Sequence, residues 1–501
     1  MKKKLSLSGV HVIVVVIFYK RKCDVRFDLL KWGMYEKYTS WEFHGELYDD
    51  SSDEENDNGN VFGNHDSGFA MLQDACGVAA MNVGLDEDTS NENNLMPEEP
   101  NADAQKFYRL LKEYQQPLTV DGTTMPKLSY IVKLLHLKVL NKWSGSSFDS
   151  LLKLQRQAYG STIPDSYYEA KKLIKDLGLD YIKIDACQNY CTLYWKEKEN
   201  LTKCPTCGLL RWKSDEKGSS KSITKVPHKV LRYFPLKPRL QRLYMFRKTA
   251  EDMRWHSEDK FNDDIMRHPR DSIAWKSFDM EFSAFGKESR NVRLGLACDG
   301  FQPFNNSQHS TWPVVLIPYN LPPWICMKAH SFMLTLLIPG PTSPGRNIDV
   351  YLQPLIDELK ELWNIGIETY DAFSKENFQM HAAVLWTIKD FLAYGDLSGW
   401  TTKGHFACPC CHKETKRTSL LSKGGYLDHR RWLPLDHIWR QDVASFNNKK
   451  EKRRSPLPLS GEEVLQHLSR FTPEKFGKNS NKRKRDASNS LYGWHKRSIF
   501  F

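Results

Sequence analysis

Four cysteines stand at ligand spacing in the middle of the chain: Cys187-x3-Cys191, twelve residues, then Cys204-Pro-Thr-Cys207-Gly. Zinc takes four thiolate or imidazole ligands in a tetrahedron, and two short cysteine pairs on turns supply them with little chain ordering. The CPTCG turn reads as a zinc knuckle, so Cys187, Cys191, Cys204 and Cys207 are expected to hold structural zinc in a zinc-ribbon-like module. A second group opens at Cys408-Pro-Cys410-Cys411 and continues to His429 and His437 in LDHRRWLPLDH. Cys408, Cys411, His429 and His437 could make a two-cysteine, two-histidine site, with Cys410 and His412 as spare ligands. Their gaps of 17 and 7 residues differ from short-helix finger spacing. An odd total of eleven cysteines, clustered at metal spacing, argues for reduced thiols over a disulfide framework.

Carboxylates offer the other chemistry. Asp299 closes the apolar run LGLACDG, and Asp390 closes VLWTIKDF 91 residues later. A carboxylate at the end of a buried strand is costly unless something pairs with it. Two of them at adjacent strand ends can hold magnesium for two-metal phosphoryl transfer. Asp is also common where strands run into turns, so the pair alone leaves both readings open.

The elements that must position these groups follow from apolar periodicity. VRLGLACDGF (292–301), WPVVLIPY (312–319) and FMLTLLIPG (332–340) read as three successive strands. IDVYLQPLIDELKELWNIG (348–366) reads as an amphipathic helix stopped at Gly366, and HAAVLWTIKDF (381–391) as a further strand. Three strands, a helix and a strand predict an α/β fold, an RNase H-like mixed sheet with flanking helices. Upstream, apolar residues spaced by three and four predict helices in 107–114, 128–143, 148–158 and 166–178, so a helical region and the zinc-ribbon-like module precede the sheet.

Charge sharpens this organisation. The net charge is +11, yet residues 46–105 carry 16 acidic groups and no Lys or Arg, leaving +27 on the other 441 residues. The basic body suits a polyanion such as nucleic acid, or an anionic membrane surface. Membrane residence is disfavoured, because the apolar run Val10 to Tyr19 is too short to span a bilayer as a helix and its β-branched residues favour a strand. The expected order is an amino-terminal module (1–46), an acidic linker (47–105), a helical region (106–184), the cysteine module (185–212) and a basic connecting region (213–290). The core (291–445) and a basic low-complexity tail (446–501), with KKEKRR and KRKR as nuclear-localisation or phosphate-contacting patches, complete it.

The stretches LGLACDGFQPFNN, WPVVLIPYNLPPWICMK and WTIKDFLAYGDLSGWTTKGHFACPCC resemble the catalytic domain of plant CACTA-type (En/Spm-like) DNA transposases. IDACQNYCTLYWKEKENLTKCPTCG and MRHPRDSIAWKSFD are similar to the same proteins, and YTSWEFHGE resembles the end of their small transposase-associated domain. The resemblance runs nearly continuously over residues 105–445. It implies a nuclear D-D-E nuclease that cuts element ends and joins them to target DNA with Mg2+ or Mn2+. Its partners would be DNA and other transposase subunits, with no small-molecule substrate. Asp299 matches the first acid and Asp390 the second; Asp396 competes for the second role but is expected in the loop before SGW. Cys408 and Cys411 match the CPxC after the second acid, and His429 and His437 the HRRxLPxxH segment. Lys389 and Leu392 depart from the family, which has Asn and Pro there, and a Lys turned inward would compete with magnesium. No candidate for the last acid follows, so the chain is expected to be a truncated or decayed copy, inactive alone. The alternative is a non-catalytic nuclear zinc-containing DNA-binding protein.

Overall fold

The computed structural model describes residues 2–7, 10–15, 98–115, 127–159, 163–176, 178, 180–213, 225–258, 266–302, 310–415, 417–419, 424–426, 428–446, 448–471 and 493–501. The β-branched run near the amino terminus extends as its composition dictates. Strand β1 (Lys2–Leu7) pairs antiparallel with β2 (Val10–Val15), from Lys2 opposite Val15 to Leu7 opposite Val10. The rest of the amino-terminal module, the acidic linker up to residue 97 and the KRKR cluster lie outside the described residues.

Helices α1 (Ala102–Gln115), α2 (Lys127–Leu140), α3 (Gly145–Tyr159) and α4 (Tyr167–Asp176) follow. Their apolar stripes converge: Leu128, Ile131 and Val132 of α2 meet Phe148 and Leu152 of α3 and Ala170 and Leu173 of α4 in one buried cluster. The same cluster takes in Met245 and Tyr370, and the Tyr108 hydroxyl donates to the Met245 carbonyl at 2.7 Å. The helical region is thereby fastened to residues that flank the main sheet.

Six strands make that sheet: β3 (Ile182–Ala186), β4 (Lys229–Tyr233), β5 (Val292–Cys298), β6 (Trp312–Pro318), β7 (Met333–Ile338) and β10 (Ala382–Ile388). Their order is β10-β5-β6-β7-β4-β3, with β10 parallel to β5 and every other pair antiparallel. Between β4 and β5 lie α5 (Lys237–Tyr244), α6 (Arg247–Asp252), α7 (Ile273–Glu281) and α8 (Ser283–Lys287). Between β7 and β10 run α9 (Ile348–Asn364) and a two-stranded hairpin of β8 (Ile367–Asp371) and β9 (Glu376–Met380). A parallel pair needs such a crossover, and α9 supplies it. It buries Val350, Tyr351, Leu352, Leu355, Ile356, Leu359 and Leu362, while Glu358 turns to cap α5, accepting from the Leu236 and Lys237 amides at 2.8 Å each.

Every residue of β5 is buried, including Arg293, which is only 1% exposed. The guanidinium is tolerated because Asp279 pairs with it at 2.7 Å and the Trp275 and Phe285 rings flank it. The three central strands, α9 and β10 thus match the expected elements. Sequence reading missed β3, β4 and the β8–β9 hairpin. No helix among the described residues is long and apolar enough to cross a membrane.

One consequence is an acid-sensitive fold. His268 is 1% exposed, its ring packed against Trp255, Trp275 and Tyr319, and burial holds its pKa at about 3. An unfolded histidine titrates near 6.5, so the unfolded chain takes up a proton that the folded chain refuses. This stability is present above about pH 6.5 and is lost as pH falls toward about 3. The urea midpoint is expected to drop over that range, and His268→Asn, which keeps an acceptor for the Arg270 amide, to flatten the slope by up to about one proton's worth, 1.4 kcal/mol per pH unit. An unchanged slope would assign the proton elsewhere.

Candidate functional site

Parallel pairing sets the first site. Ile388 of β10 lies opposite Ala297 of β5. Two residues further along each strand stand Asp390 and Asp299, so both carboxylates emerge at the same end of adjacent strands. They line one cavity of about 530 Å³, together with Asp396, Arg346, Lys403 and Trp312.

Local chemistry holds each acid in place. The Gly300 amide donates to Asp299 Oδ1 at 2.7 Å, and a side chain at Gly300 would collide with the Trp312 ring, its Cβ falling 2.7 Å from it. Burial raises the Asp299 pKa, the Gly300 amide opposes this, and the Asp390 charge raises it further. Asp390 caps α10 (Phe391–Ser398), its Oδ1 accepting from the Ala393 amide at 2.6 Å. Asp396 sits within α10 and not in the loop expected from sequence. Burial raises its pKa, Lys496 and Arg346 pull it down, and Asp390 pushes it up. The three carboxylates therefore share one electrostatic environment, with cations concentrated around Asp396.

Lys389 is half-buried, and burial lowers its ammonium to about 8. Its charged neighbours include Lys496, Asp349 and Asp396. Residues 493–501 bond to segments that line the cavity or adjoin its lining. Lys496 Nζ contacts Asp349 Oδ2 at 2.9 Å and the Arg346 carbonyl at 3.0 Å. α10 ends at Gly399 with φ +82°, where a Cβ would lie 2.6 Å from the Lys496 carbonyl oxygen. The His495 amide donates to the Gly399 carbonyl and the Thr401 amide to the Gly493 carbonyl, both at 2.8 Å. Trp400 and Trp494 stack edge to face at 4.9 Å, and Ile499 and Phe500 pack on the main core. Nothing in the polar composition before residue 493 announces this; the apolar ending SIFF is the available signal. Glu462 and Glu463 are exposed on α11 (Gly461–Leu468), where Glu463 completes a capping box with Ser460.

The second site forms at the free edge of the sheet. Cys187 follows β3 directly, and the Sγ atoms of Cys187, Cys191, Cys204 and Cys207 all lie within 4.8 Å of one another. The first knuckle turns at Tyr190, φ +61°, and the second at Gly208, φ +74°. The Gly208 amide returns to the Cys204 carbonyl at 2.9 Å. Soft thiolates converging on one point suit a metal such as zinc. Burial raises Cys187 to about 11 and pushes Cys191 higher still. Cys204 is also buried but sits at about 7, because the Thr192 hydroxyl and the amides of Cys207 and Thr206 favour its thiolate. Tyr190 ties this site to the loop before α9, its hydroxyl donating to the Thr342 carbonyl at 2.8 Å.

Among the described residues, that is the one group of three or more metal-type side chains gathered within reach of a single ion. Cys408, Cys411, His429 and His437 are not brought together around such a point. Cys411 is buried, His437 Nδ1 accepts from the Trp439 amide at 3.1 Å as a helix cap, and exposed His429 lies against Phe446. His412 Nε2 lies 2.9 Å from the Leu457 carbonyl.

The fold and sites define a mixed α/β protein with a carboxylate-lined cavity and a four-cysteine metal-type site. A family model described as "Transposase family tnp2" matches residues 263–471, which spans β5 to β10, all three aspartates and the CPCC segment. The match supports a transposase family and a transposase-like function, for which DNA is the implied partner. No curated protein matches the chain.

The four thiols predict a measurable proton linkage. Loading one zinc must release protons from the raised cysteines, so affinity is expected to fall steeply from about pH 8 to about pH 6. Cys204→Ser is expected to reduce bound zinc from one per chain to none, by atomic absorption, and to lower the melting temperature of the as-purified protein. Full zinc content in that variant would refute the ligand set.

Proposed function

We propose that the chain is a DNA transposase core of the CACTA (En/Spm-like) kind, in which Asp299 and Asp390 are the catalytic acids on an RNase H-like sheet. The observation that carries this is the β5–β10 register, which delivers both acids to one mouth. Supporting it, three antiparallel strands are followed by a crossover helix and a fourth strand parallel to the first. Mg2+ or Mn2+ fits the donor set, since hard cations take carboxylate oxygens and Asp299 and Asp390 each commit one oxygen to a backbone amide and keep the other. When bound there, such an ion would supply charge stabilisation at the attacked phosphate and an activated attacking oxygen. The chain's own contribution is to fix both carboxylates by short backbone bonds and to offer Asp396 as a third carboxylate in the same cavity. Arg346 and Lys403, which also line it, would hold the phosphate of the strand being cut. Zinc at the four cysteines would serve as a structural, ribbon-like module, and nuclear residence follows from the substrate.

A second reading, a non-catalytic nuclear DNA-binding protein, is favoured by one observation: Lys496, Arg346 and Lys389 all act on Asp396. A cleavage assay on a duplex carrying transposon ends decides between them. The first reading expects Mg2+-dependent cutting that Asp299→Asn and Asp390→Asn each reduce by at least about 10²-fold, with the fold intact by circular dichroism. Tight DNA binding without cutting by the unmodified chain would establish the second.

A further inference from the structure

A larger cavity, about 1040 Å³, lies beside the four-cysteine site and is assigned no role by the acid chemistry. Lys213, His228, Lys229 and Arg232 line it, and among the described residues none of its lining groups is a carboxylate. Its charge is therefore opposite to that of the acid cavity. The two share a wall. Pro341 and Thr342 face the groove, while Ser343 and Arg346, next along the same loop, face the acids. Consecutive residues are about 3.8 Å apart, so a strand leaving the acid cavity crosses little more than one residue's width of protein before reaching the groove.

We propose that this groove holds the phosphate backbone of the DNA flanking the cut, with Lys213 and Arg232 as the phosphate contacts. The assignment rests on the reading of the acid cavity as the place where DNA is cut. Arg232 is half-buried on β4, and Lys213 is exposed after the second knuckle, its amide donating to the Val226 carbonyl at 2.9 Å. Lys229 has a different task. It is 8% exposed, its ammonium lies over the Tyr190 ring, and it interacts electrostatically with Cys187. Cys191 and Cys207 also line the groove, and a zinc ion with four thiolates carries a net charge of about −2. Lys229 offsets part of that charge, so that Lys213 and Arg232 present a positive surface to an incoming polyanion. The Tyr190–Thr342 hydrogen bond fixes the shared wall against the metal site, which keeps the groove and the acids in register.

The test uses the full, zinc-loaded chain and a fluorescein-labelled duplex of about 30 base pairs carrying transposon ends, read by anisotropy over a salt series without Mg2+. Lys213→Glu with Arg232→Glu is expected to weaken binding at least about tenfold and to reduce the slope of log affinity against log salt by about 1.8, two phosphates' worth. Lys276→Glu, an equal charge change per site on exposed α7, is expected to leave the slope unchanged. Lys213→Arg with Arg232→Lys is expected to bind like the unmodified chain, which separates charge from misfolding. Wild-type affinity and slope in the double Glu variant would overturn the proposal, as would loss of binding in the charge-preserving pair. The acid reading fails separately: binding that depends on Lys213 and Arg232 without any cutting leaves the groove standing and removes the nuclease.

Discussion

Parallel pairing of β10 with β5 is the constraint on which the rest of the molecule depends. The two strands are separated by more than 80 residues, and ladder hydrogen bonds reward their pairing only after that long loop has been closed. Closure is made favourable by α9, whose buried face covers the sheet and whose Glu358 simultaneously caps α5. A slip of one residue in this pair would turn the alternate side chains of β10 to the opposite face and carry Asp390 away from Asp299. The pairing in fact contains an irregularity between Val384 and Trp386, which resets the register just before the acids. Beyond it the pairing is regular to the last matched pair, Ile388 with Ala297.

The same dependence extends outward through the loop between β7 and α9. Its residues touch the metal-type site through Thr342, the acid cavity through Ser343 and Arg346, and the chain's final residues through the Arg346 carbonyl. Three segments distant in sequence therefore meet on about five residues of loop. Such a loop would be floppy in isolation, because it carries few apolar side chains of its own. Here its conformation is set from outside by Tyr190, Lys496 and the start of α9.

Much of the core was legible in the sequence for a simple reason. β5, β6, β7 and β10 are short apolar runs bounded by turn residues, and α9 carries an apolar stripe at helical spacing, so burial dictates both patterns. The four cysteines were legible because thiolate ligands must sit on tight turns, and such turns have fixed spacing. What was hidden is instructive. β4, KVLRY, carries Lys229 and Arg232 inside a basic stretch, and its alternating buried set, Lys229, Leu231 and Tyr233, begins with a lysine and is too brief to separate from a polar loop. Asp396 reads as a loop residue because Gly395 and Ser398 surround it, yet the Asp390 cap forces a helix there. The expectation for His429 and His437 rested on residue type and on the HRRxLPxxH resemblance, with gaps that already differed from finger spacing, and neither signal separates a metal ligand from a histidine that caps a helix or lies against an aromatic ring. The carboxy-terminal packing left only the apolar ending SIFF to read, since the contacts of Trp494 and Lys496 come from isolated residues with no periodic pattern.

Three cations surround Asp396. Lys389, Lys496 and Arg346 all have their pKa values lowered by burial, which means that each charge is partly removed from water. Burying three cations next to one another is unfavourable unless carboxylates compensate, and Asp349 and Asp396 do so. Asp396 is therefore already engaged in balancing positive charge, whereas the Asp390 charge raises the pKa of Asp299, and neither has a lysine or arginine bonded to it among the described residues. The most poorly compensated negative charge in the cavity thus lies between Asp299 and Asp390. Of the cavity's three carboxylates, Asp396 is therefore the one tied to the basic wall, whereas Asp299 and Asp390 are each held by a single backbone amide.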